Sequence, residues 1–370
     1  MTSSQLFNYR TVLTLLIGGV WAMLLITVIL PIRHSSFSDL GGAGSSFFTG
    51  KSVQRIPGHV WADIFQNIFW YPAGNEAITK FQKVPLIDHP TKLLFCWIPK
   101  NACTQIKALF IKKQLNMPNY TTDDIHDLHD HLGIKIKHYS DIKDKHVWSD
   151  PTWNRWTIVR DPISRFVSGF VDKCGKNGEL GRGHKDGCLN CFGNLPCFIE
   201  RHLEKINYAS RNGSNYYSRF WDHFFPQFWF CDFEHRFQAF TKVFRYANGP
   251  EFKHQMRESL LDVGWSRVIV MTSWGPNNTD PFLDEYTPHK IDNDEKLSYL
   301  RDITANLTLT DFLVRTYLID YLAFGYPLPD WIPSLCALRN SSEAEQIFVC
   351  RLSQYLERLH FENWRKTFLS

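Results

Sequence analysis

The chain has 370 residues, of which 44% are hydrophobic and 15% are aromatic, and its formal net charge at pH 7 is +4. This length can hold one large domain or two ordinary ones with a sizeable hydrophobic core. The mild positive charge fits an anionic partner, but the basic residues are scattered along the chain, which argues against a nucleic-acid-binding protein.

The first predicted element is an apolar segment at residues 12–32, which contains no charged side chain. About 20 apolar residues are enough to cross the hydrocarbon core of a bilayer as a helix. A cleaved signal peptide has a shorter apolar core, although the small residues at 41–46 leave cleavage open. We therefore predict a cytoplasmic tail at residues 1–11 and a transmembrane signal anchor at residues 12–32.

Two features of the chain after this segment indicate that the following domain is lumenal. Nine cysteines are more than a reduced cytosolic enzyme usually contains. Five Asn-x-Ser/Thr sequons also occur there, and together they favour a glycosylated domain. The sequons begin at Asn119, Asn212, Asn277, Asn306 and Asn340.

The composition after the anchor changes from linker-like to domain-like. Residues 35–52 are rich in glycine and serine, so we predict a flexible stem over residues 33–58. Aromatic residues at 59–75 mark the start of the folded part. We predict a lumenal domain at residues 59–332 and a C-terminal helical extension at residues 333–370.

From residue 91 the sequence alternates between predicted strands and predicted helices. The strands are predicted at residues 92–98, 155–159, 240–246 and 268–271. The helices are predicted at residues 102–115, 163–172, 251–261, 294–305 and 310–323. Such alternation predicts an α/β fold in which helices cover both faces of a central parallel sheet.

Polar residues follow the first strand in the sequence CWIPKNACTQIKALF, residues 96–110. Lys100, Asn101 and Thr104 lie where the strand ends and the helix begins. Loops of this kind hold anions in α/β proteins, because the first backbone N–H groups of a helix have no partner within it. The alternative is a solvated surface lysine, which the position of Lys100 between Pro99 and a helix start disfavours.

A second polar loop follows another strand in the sequence WTIVRDPISRFVSGF, residues 156–170. Arg160 ends the strand, Pro162 takes a favoured early position of the helix, and Ser168 lies about two turns along. The planar guanidinium of arginine suits a phosphate, and the serine hydroxyl can reach the same anion. The alternative is an arginine that pairs with Asp161, beside an ordinary helical serine.

The two loops together resemble those of sulfotransferases that use 3′-phosphoadenosine-5′-phosphosulfate (PAPS). The shared patterns are Pro-Lys-x-x-x-Thr after one strand and Arg-Asp-Pro-x-x-Arg-x-x-Ser-x-Phe after another. Residues 222–233 and 317–329 also resemble later parts of the family, so the resemblance covers residues 93–329. It is strongest to the membrane-anchored Golgi carbohydrate sulfotransferases related to the chondroitin and dermatan 4-O- and heparan 2-O-sulfotransferases.

The resemblance implies a single P-loop-kinase-like domain, held in the Golgi membrane with its catalytic part in the lumen. It implies transfer of a sulfuryl group from PAPS to a hydroxyl of a glycan or proteoglycan, with a chondroitin-like chain as one candidate acceptor. The PAPS-binding residues that it implies are Lys100, Asn101, Ala102, Cys103, Thr104, Arg160 and Ser168.

Two catalytic residues are predicted. Lys100 would offset the negative charge that develops on the leaving phosphate. The acceptor hydroxyl needs a base, for which histidine is suited near neutral pH, and the resemblance implies a histidine between the two loops. His126 fits that position best, and the alternatives are His129, His131 and His138.

The same histidines raise the alternative of a zinc site. Residues 126–131 contain a His-x-x-His-x-His pattern interleaved with two aspartates, and these residue types bind zinc. The spacing matches no specific zinc motif, and sulfuryl transfer needs no metal. We therefore predict no metal.

The odd number of cysteines predicts at least one unpaired thiol within a monomer. Cys96 and Cys103, close to the first loop, are the best candidates for it. We expect Cys336 to pair with Cys350 in a short loop outside the resemblance.

The remaining cysteines depart from the family pattern. The family has a Cys-x-x-Cys that is reduced here to Cys231, with Glu234 at the second position, so its disulfide cannot be carried over. Four cysteines at residues 174–197 offer alternative partners for Cys231. Among these, Cys188 and Cys191 form a Cys-x-x-Cys for which disulfides are expected rather than zinc in an oxidising lumen.

Two other functions are consistent with an anchored lumenal domain. A type II glycosyltransferase often uses an Asp-x-Asp motif to hold a metal and a nucleotide sugar. Asp292 and Asp294 form this pattern within a run of polar residues. A catalytically silent relative would bind glycans without turnover. The intact Lys100, Arg160 and Ser168 argue against a decayed site.

Overall fold

The computed structural model describes residues 85–116, 146–176, 178, 187–212, 221–247, 250–271 and 293–356. The predicted anchor, the stem and residues 59–75 lie outside these ranges. Within the described part of the chain, no helix combines the length and the apolar composition that a membrane span requires.

A four-stranded sheet forms the centre of the described domain, with its strands in the order β1-β2-β3-β4. The strands are β1 (Leu86–Asp88), β2 (Leu93–Cys96), β3 (Asn154–Val159) and β4 (Lys242–Arg245). Strands β2, β3 and β4 are parallel, with Phe95 opposite Trp156 and Thr157 opposite Val243. Strand β1 pairs antiparallel with β2, so the sheet is mixed and the prediction of a wholly parallel sheet is wrong at this edge.

Helices connect and flank these strands. In chain order they are α1 (Cys103–Leu115), α2 (His146–Ser149), α3 (Pro162–Cys174), α4 (Leu195–Asn212), α5 (Phe233–Arg236), α6 (Pro250–Asp262), α7 (Arg267–Met271), α8 (Asn293–Thr304), α9 (Leu307–Thr316), α10 (Leu318–Phe324), α11 (Ile332–Ala337) and α12 (Ser341–Ala344). Residues 348–356 are also helical. Two 3₁₀ turns, Trp221–His223 and Gln227–Trp229, precede α5.

Hydrophobic side chains cover both faces of the sheet, because successive residues of a strand point in opposite directions. Phe95 of β2 shares one core with Phe110 of α1 and Met256 of α6. The next residue, Cys96, belongs to a larger core on the other face that contains Phe166 of α3. The predicted α/β architecture with helices on both faces is therefore confirmed.

Two predicted elements differ from the structure. Residues 268–271, predicted as a strand, belong to helix α7, because the Ser266 hydroxyl accepts a hydrogen bond from the Ile269 N–H at 3.3 Å and begins a helix that packs against α1. Periodicity alone cannot separate a short buried helix from a strand. The helix predicted at residues 310–323 is two helices, which meet at Tyr317.

Four disulfides connect described cysteines: Cys96–Cys231, Cys174–Cys188, Cys191–Cys197 and Cys336–Cys350. The predicted Cys336–Cys350 pair and the disulfide bonding of Cys188 and Cys191 are confirmed. The predictions for Cys96 as a free thiol and for a partner of Cys231 at residues 174–197 are wrong. The fold brings Cys231 to the end of β2 across a sequence separation of 135 residues, and Cys103 is the free thiol.

Candidate active site

The two predicted anion loops meet at one edge of the sheet. Strands β2 and β3 are parallel neighbours, so their carboxyl ends lie side by side. The loop after β2 carries Lys100 and the residue after β3 is Arg160. A guanidinium N–H of Arg160 (Nη1) donates to the carbonyl oxygen of Lys100 at 3.0 Å, which joins the loops directly.

The loop after β2 has an unusual backbone path. Lys100 and Ala102 have φ values of 69° and 59°, in the left-handed region that side chains with a Cβ rarely adopt. Ala102 is the N-cap residue of the 13-residue helix α1 and provides no side-chain cap. The first backbone N–H groups of α1, including that of Thr104, are therefore positioned to donate hydrogen bonds to an anion.

The side chain of Asn101 has a structural role, whereas the predicted anion ligand is its backbone N–H. Its side chain is buried, and its amide donates to the Ile158 carbonyl oxygen at 2.8 Å and to Gln227 Oε1 at 2.7 Å. The side chain therefore ties the loop to β3, and only the backbone of Asn101 is positioned as a possible anion ligand.

Lys100 forms a nearly buried ion pair with Asp172 of α3. Its ammonium nitrogen lies 2.5 Å from the Asp172 carboxylate, and the two side chains are 16% and 2% exposed. Burial lowers the pKa of Lys100, and the charge of Asp172 opposes that effect. Burial raises the pKa of Asp172, but Lys100 and Lys173, whose ammonium lies 3.2 Å away, bring it to about 2, so this carboxylate is ionised at neutral pH.

Polar side chains along one side of helix α3 connect Arg160 with Lys100, neither of which belongs to the helix. Ser164, Ser168 and Asp172 are spaced by four residues and so lie along one side of the helix. Ser164 accepts a hydrogen bond from Arg160 Nη2 at 3.1 Å, and Asp172 binds Lys100 at the other end. The buried Ser168 lies between them on this side of the helix.

Arg160 is held by its neighbours on several sides. Its guanidinium lies 5.0 Å from the centre of the Tyr246 ring, a cation–π contact. Burial lowers its pKa, although arginine remains charged. Lys296 of α8 adds a second cation here, since partial burial and the charge of Arg160 both lower the pKa of Lys296.

A buried amide and carboxylate, which the predictions missed, hold the two loops in place. Gln227 Oε1 accepts the Arg160 backbone N–H at 2.9 Å, and Gln227 Nε2 donates to the Arg160 carbonyl oxygen at 2.8 Å. Asp320 of α10 accepts the backbone N–H groups of Gln227 and Phe228 at 2.7 and 2.8 Å. Burial raises the pKa of Asp320 to about 6, although these hydrogen bonds act to lower it.

Arg165 of α3 is a second missed residue, although the quoted Arg-Asp-Pro-x-x-Arg pattern contains it. This side chain is fully buried and makes only main-chain hydrogen bonds among those described. It donates to the carbonyl oxygens of Pro99 at 2.9 Å, Phe225 at 2.7 Å and Asp222 at 3.1 Å. Arg165 thus fixes the residue before Lys100 and the segment before Gln227 to one helix.

That segment places an aspartate–histidine pair over α3. Nδ1 of His223 lies 2.6 Å from Oδ1 of Asp222, and the side chains are 20% and 0% exposed. Burial lowers the pKa of His223, Asp222 opposes this, and Lys100 and Lys173 lower it further. Both residues lie in the segment 222–233 that the resemblance includes. No local sequence pattern predicts, however, that they lie near Lys100.

The predicted base His126 and its alternatives His129, His131 and His138 lie outside the described residues, and so does Asp292 of the Asp-x-Asp pattern. Asp294 is exposed in the first turn of α8. In the ranges that the structure describes, no group of three or more histidine, cysteine, aspartate or glutamate side chains is arranged to hold a metal ion.

Comparisons with known proteins agree with this arrangement. A family model described as "Sulfotransferase family" matches residues 85–327. Carbohydrate sulfotransferase chst-1 of Caenorhabditis elegans is 28% identical over 182 residues, which are 47% of this chain and 53% of the relative. An uncharacterized protein of the same organism is 23% identical over 273 residues, which are 66% of this chain and 72% of the relative.

The first of these matches therefore spans only about half the length of the relative. No solved structure matches the chain.

Proposed function

The chain belongs to the sulfotransferase family, and from that membership we propose that it transfers the sulfuryl group of PAPS to a hydroxyl of a glycan. The observation that carries the proposal is the meeting of Lys100 and Arg160 at the shared edge of β2 and β3, joined by a direct hydrogen bond of 3.0 Å. Two anion-binding loops in contact suit a substrate that carries two phosphate groups.

The residues present fit the chemistry of PAPS. Lys100, the backbone N–H groups of residues 101–104 and the Thr104 hydroxyl would hold the 5′-phosphosulfate at the start of α1. Arg160 and Ser168 would hold the 3′-phosphate, with Lys296 as a further cation nearby. A nearly buried cation at the start of an uncapped helix, as Lys100 is at α1, is stabilised by an anion, which supports this assignment.

The proposed reaction is an in-line displacement at sulfur. The acceptor oxygen bonds to sulfur while the bond from sulfur to the bridging oxygen breaks, and the electron pair stays with the leaving phosphate. Lys100 would offset the charge on that phosphate. Because Asp172 is ionised and binds Lys100 in the structure, the phosphosulfate would compete with this carboxylate for the ammonium group.

The cellular setting belongs to the same proposal. We propose a type II protein of the Golgi membrane, anchored by residues 12–32, with a kinase-like catalytic domain in the lumen. Four disulfides among the described cysteines support an oxidising compartment. The sequon residues Asn306 and Asn340 are exposed, as glycan attachment requires. A chondroitin-like acceptor remains a proposal drawn from the resemblance.

Ligand-induced thermal stabilisation of the full-length protein in detergent tests the PAPS site. We expect 3′,5′-bisphosphoadenosine to raise the melting temperature, and 5′-AMP to do so much less, because a ligand selective for the native state stabilises it. Arg160→Ala should weaken bisphosphate binding by about 10- to 100-fold, the effect of losing a charge-assisted hydrogen bond.

The other outcomes separate the alternatives. Stabilisation only by a uridine-diphosphate sugar with a divalent metal would overturn the proposal in favour of a glycosyltransferase. Bisphosphate binding without turnover of PAPS would identify a catalytically silent relative. Equal binding by wild type and Arg160→Ala would show that the 3′-phosphate assignment is wrong.

A further inference from the structure

The position of His223 follows from the way its turn packs on α3. A Cβ atom added to Gly169 would lie 3.2 Å from the His223 carbonyl oxygen and 3.7 Å from the His223 Cβ, so the turn lies directly against the helix at this glycine. Gly169 is three residues before Asp172 and shares its side of α3. His223 therefore lies about one helical turn from the carboxylate that binds Lys100.

Charge effects show the same proximity. The positive charges of Lys100 and Lys173 act on His223, and His223 in turn acts on Asp172. Together with Asp222, these are the main charged groups among the described residues that act on the imidazole. Burial and the two lysines lower the pKa of His223 more than Asp222 raises it, so the ring is neutral at pH 7. A neutral ring is the form that a general base must have.

The carboxylate of Asp222 sets the tautomer of this ring. With Oδ1 2.6 Å from Nδ1, the Asp222 carboxyl group faces that nitrogen, which leaves Nε2 as the position that takes up a proton. Asp222 is itself held in place, because Arg165 donates to its carbonyl oxygen. The His223 side chain is 20% exposed, which gives a substrate hydroxyl access to it.

His202, one helix away, shows what a structural histidine looks like in this fold. Its ring is 1% exposed and stacks on Phe166 and Phe198, and its Nε2 lies 3.1 Å from the Phe224 carbonyl oxygen. The polar partners that its Nε2 meets are thus the Phe224 carbonyl oxygen and the Tyr317 hydroxyl, at 3.4 Å from the latter. His223 instead contacts a carboxylate and lies beside the catalytic lysine.

We propose that His223, oriented by Asp222, is the general base that takes the proton of the acceptor hydroxyl, an inference that rests on the proposed sulfuryl transfer. As the acceptor oxygen bonds to sulfur, its proton moves to Nε2 of His223. The Asp222 carboxylate stabilises the imidazolium that results. The ring releases the proton to solvent before the next turnover, so no further reactant is needed.

The first test compares His223→Gln with the control His254→Gln, whose side chain is 64% exposed on α6. Single-turnover consumption of PAPS is measured with desulfated chondroitin, dermatan and heparan chains, and with water alone. We expect His223→Gln to lower the rate by about 100-fold or more, the range for a general base. Its stabilisation by bisphosphoadenosine should stay unchanged, and His254→Gln should match wild type.

A second test uses Asp222→Asn and the pH profile of the rate. The wild-type rate should fall as pH falls, because protonation removes the base, with a midpoint below the ordinary histidine value of 6.5. Removal of the Asp222 charge takes away the interaction that raises the pKa of His223, so this midpoint should move to lower pH. A purely structural role for Asp222 would lower the rate without moving the midpoint.

Each other outcome overturns a defined part of the argument. Wild-type rates in His223→Gln, with the loss found in His126→Gln instead, would overturn the inference and leave sulfuryl transfer intact. The wild-type protein could also bind bisphosphoadenosine but consume no PAPS with any acceptor. That result would overturn the assignment of His223 as the base, while the proposed binding site would stand. Absence of bisphosphate binding in the wild type would overturn the proposed function itself.

Discussion

Two clusters of polar side chains lie near the two loops of this domain, and they differ in the groups that they contact. The central hub consists of Gln227, Asp320 and Arg165, whose hydrogen bonds go mostly to main-chain groups. The rim cluster consists of the Lys100–Asp172 ion pair and the neighbouring His223, whose pKa is affected by the charge of Lys100. Hub side chains are fully buried, whereas Lys100 and His223 are 16% and 20% exposed.

This difference distinguishes side chains that position the loops from side chains that we expect to meet the substrate. A buried polar group that is satisfied by main-chain partners fixes where loops lie, and it costs free energy to disturb. Charges that pair mainly with one another can exchange partners when a substrate arrives. The hub therefore holds the two loops at the sheet edge, and the rim cluster is where we expect the proposed chemistry to occur.

The largest expected effect comes from Lys100→Met in the rim cluster. We expect turnover of PAPS to fall by about 100- to 1,000-fold, the loss seen when one group that stabilises a developing oxyanion is removed. Lys173→Met is the matched control, because Lys173 binds the same carboxylate at 3.2 Å. Both variants should keep a cooperative melting transition, with a lower melting temperature expected for Lys100→Met because the buried Asp172 loses its ion pair. Equal activity of the two variants would contradict the special role of Lys100.

Asp320→Ala should break the hub. The change leaves the backbone N–H groups of Gln227 and Phe228 without their carboxylate, so we expect a loss of about 2–5 kcal/mol in the free energy of unfolding. Asp311→Ala is the control, since Asp311 accepts the Val349 N–H at 2.8 Å away from the two loops. Urea unfolding should show destabilisation in both, while only Asp320→Ala loses bisphosphate binding. Retained binding in Asp320→Ala would show that the hub does not position the loops.

The ion pair of Asp172 should make stability depend on pH. The pKa of this carboxyl is about 2 in the folded chain and 3.8 ordinarily, so its contribution is fully present above pH 4 and is lost as pH falls toward 2. A shift of this size corresponds to about 2.5 kcal/mol. Denaturant unfolding between pH 2.5 and 5 should therefore show a steeper decline in wild type than in Asp172→Asn. Parallel curves would mean that the pair does not lower this pKa.

The smallest expected effect tests the contact between the rim cluster and α3. Gly169→Ala gains helix propensity but places a methyl group 3.2 Å from the His223 carbonyl oxygen, so stability should change by less than about 1 kcal/mol. We expect turnover to fall several-fold because His223 shifts, with bisphosphate binding unchanged. Gly193→Ala is not a suitable control, since its φ of 64° would strain alanine. Unchanged turnover in Gly169→Ala would argue against a role for His223 that depends on its exact position.

Much of the site could be predicted because its determinants are local. Arg160, Pro162 and Ser168 follow a buried strand at spacings that one helix start explains, and Asp161 caps that helix. The first loop was recognisable from the same strand-to-helix pattern around Lys100. The hydrogen bond from the Asn101 side chain to Gln227 could not be predicted in the same way, because the two residues are 126 positions apart in sequence.

The sequence by itself determined the three parallel strands, most helices and the two strand-to-helix loops, since hydrophobic periodicity and helix capping act between near neighbours. Only the tertiary structure decided which distant groups meet. The pairing of Cys96 with Cys231, the support of Gln227 by Asp320 and the approach of His223 to Lys100 all join segments that lie 90 or more residues apart. Such contacts depend on how helices pack over the sheet, and a short stretch of residues carries no information about that packing.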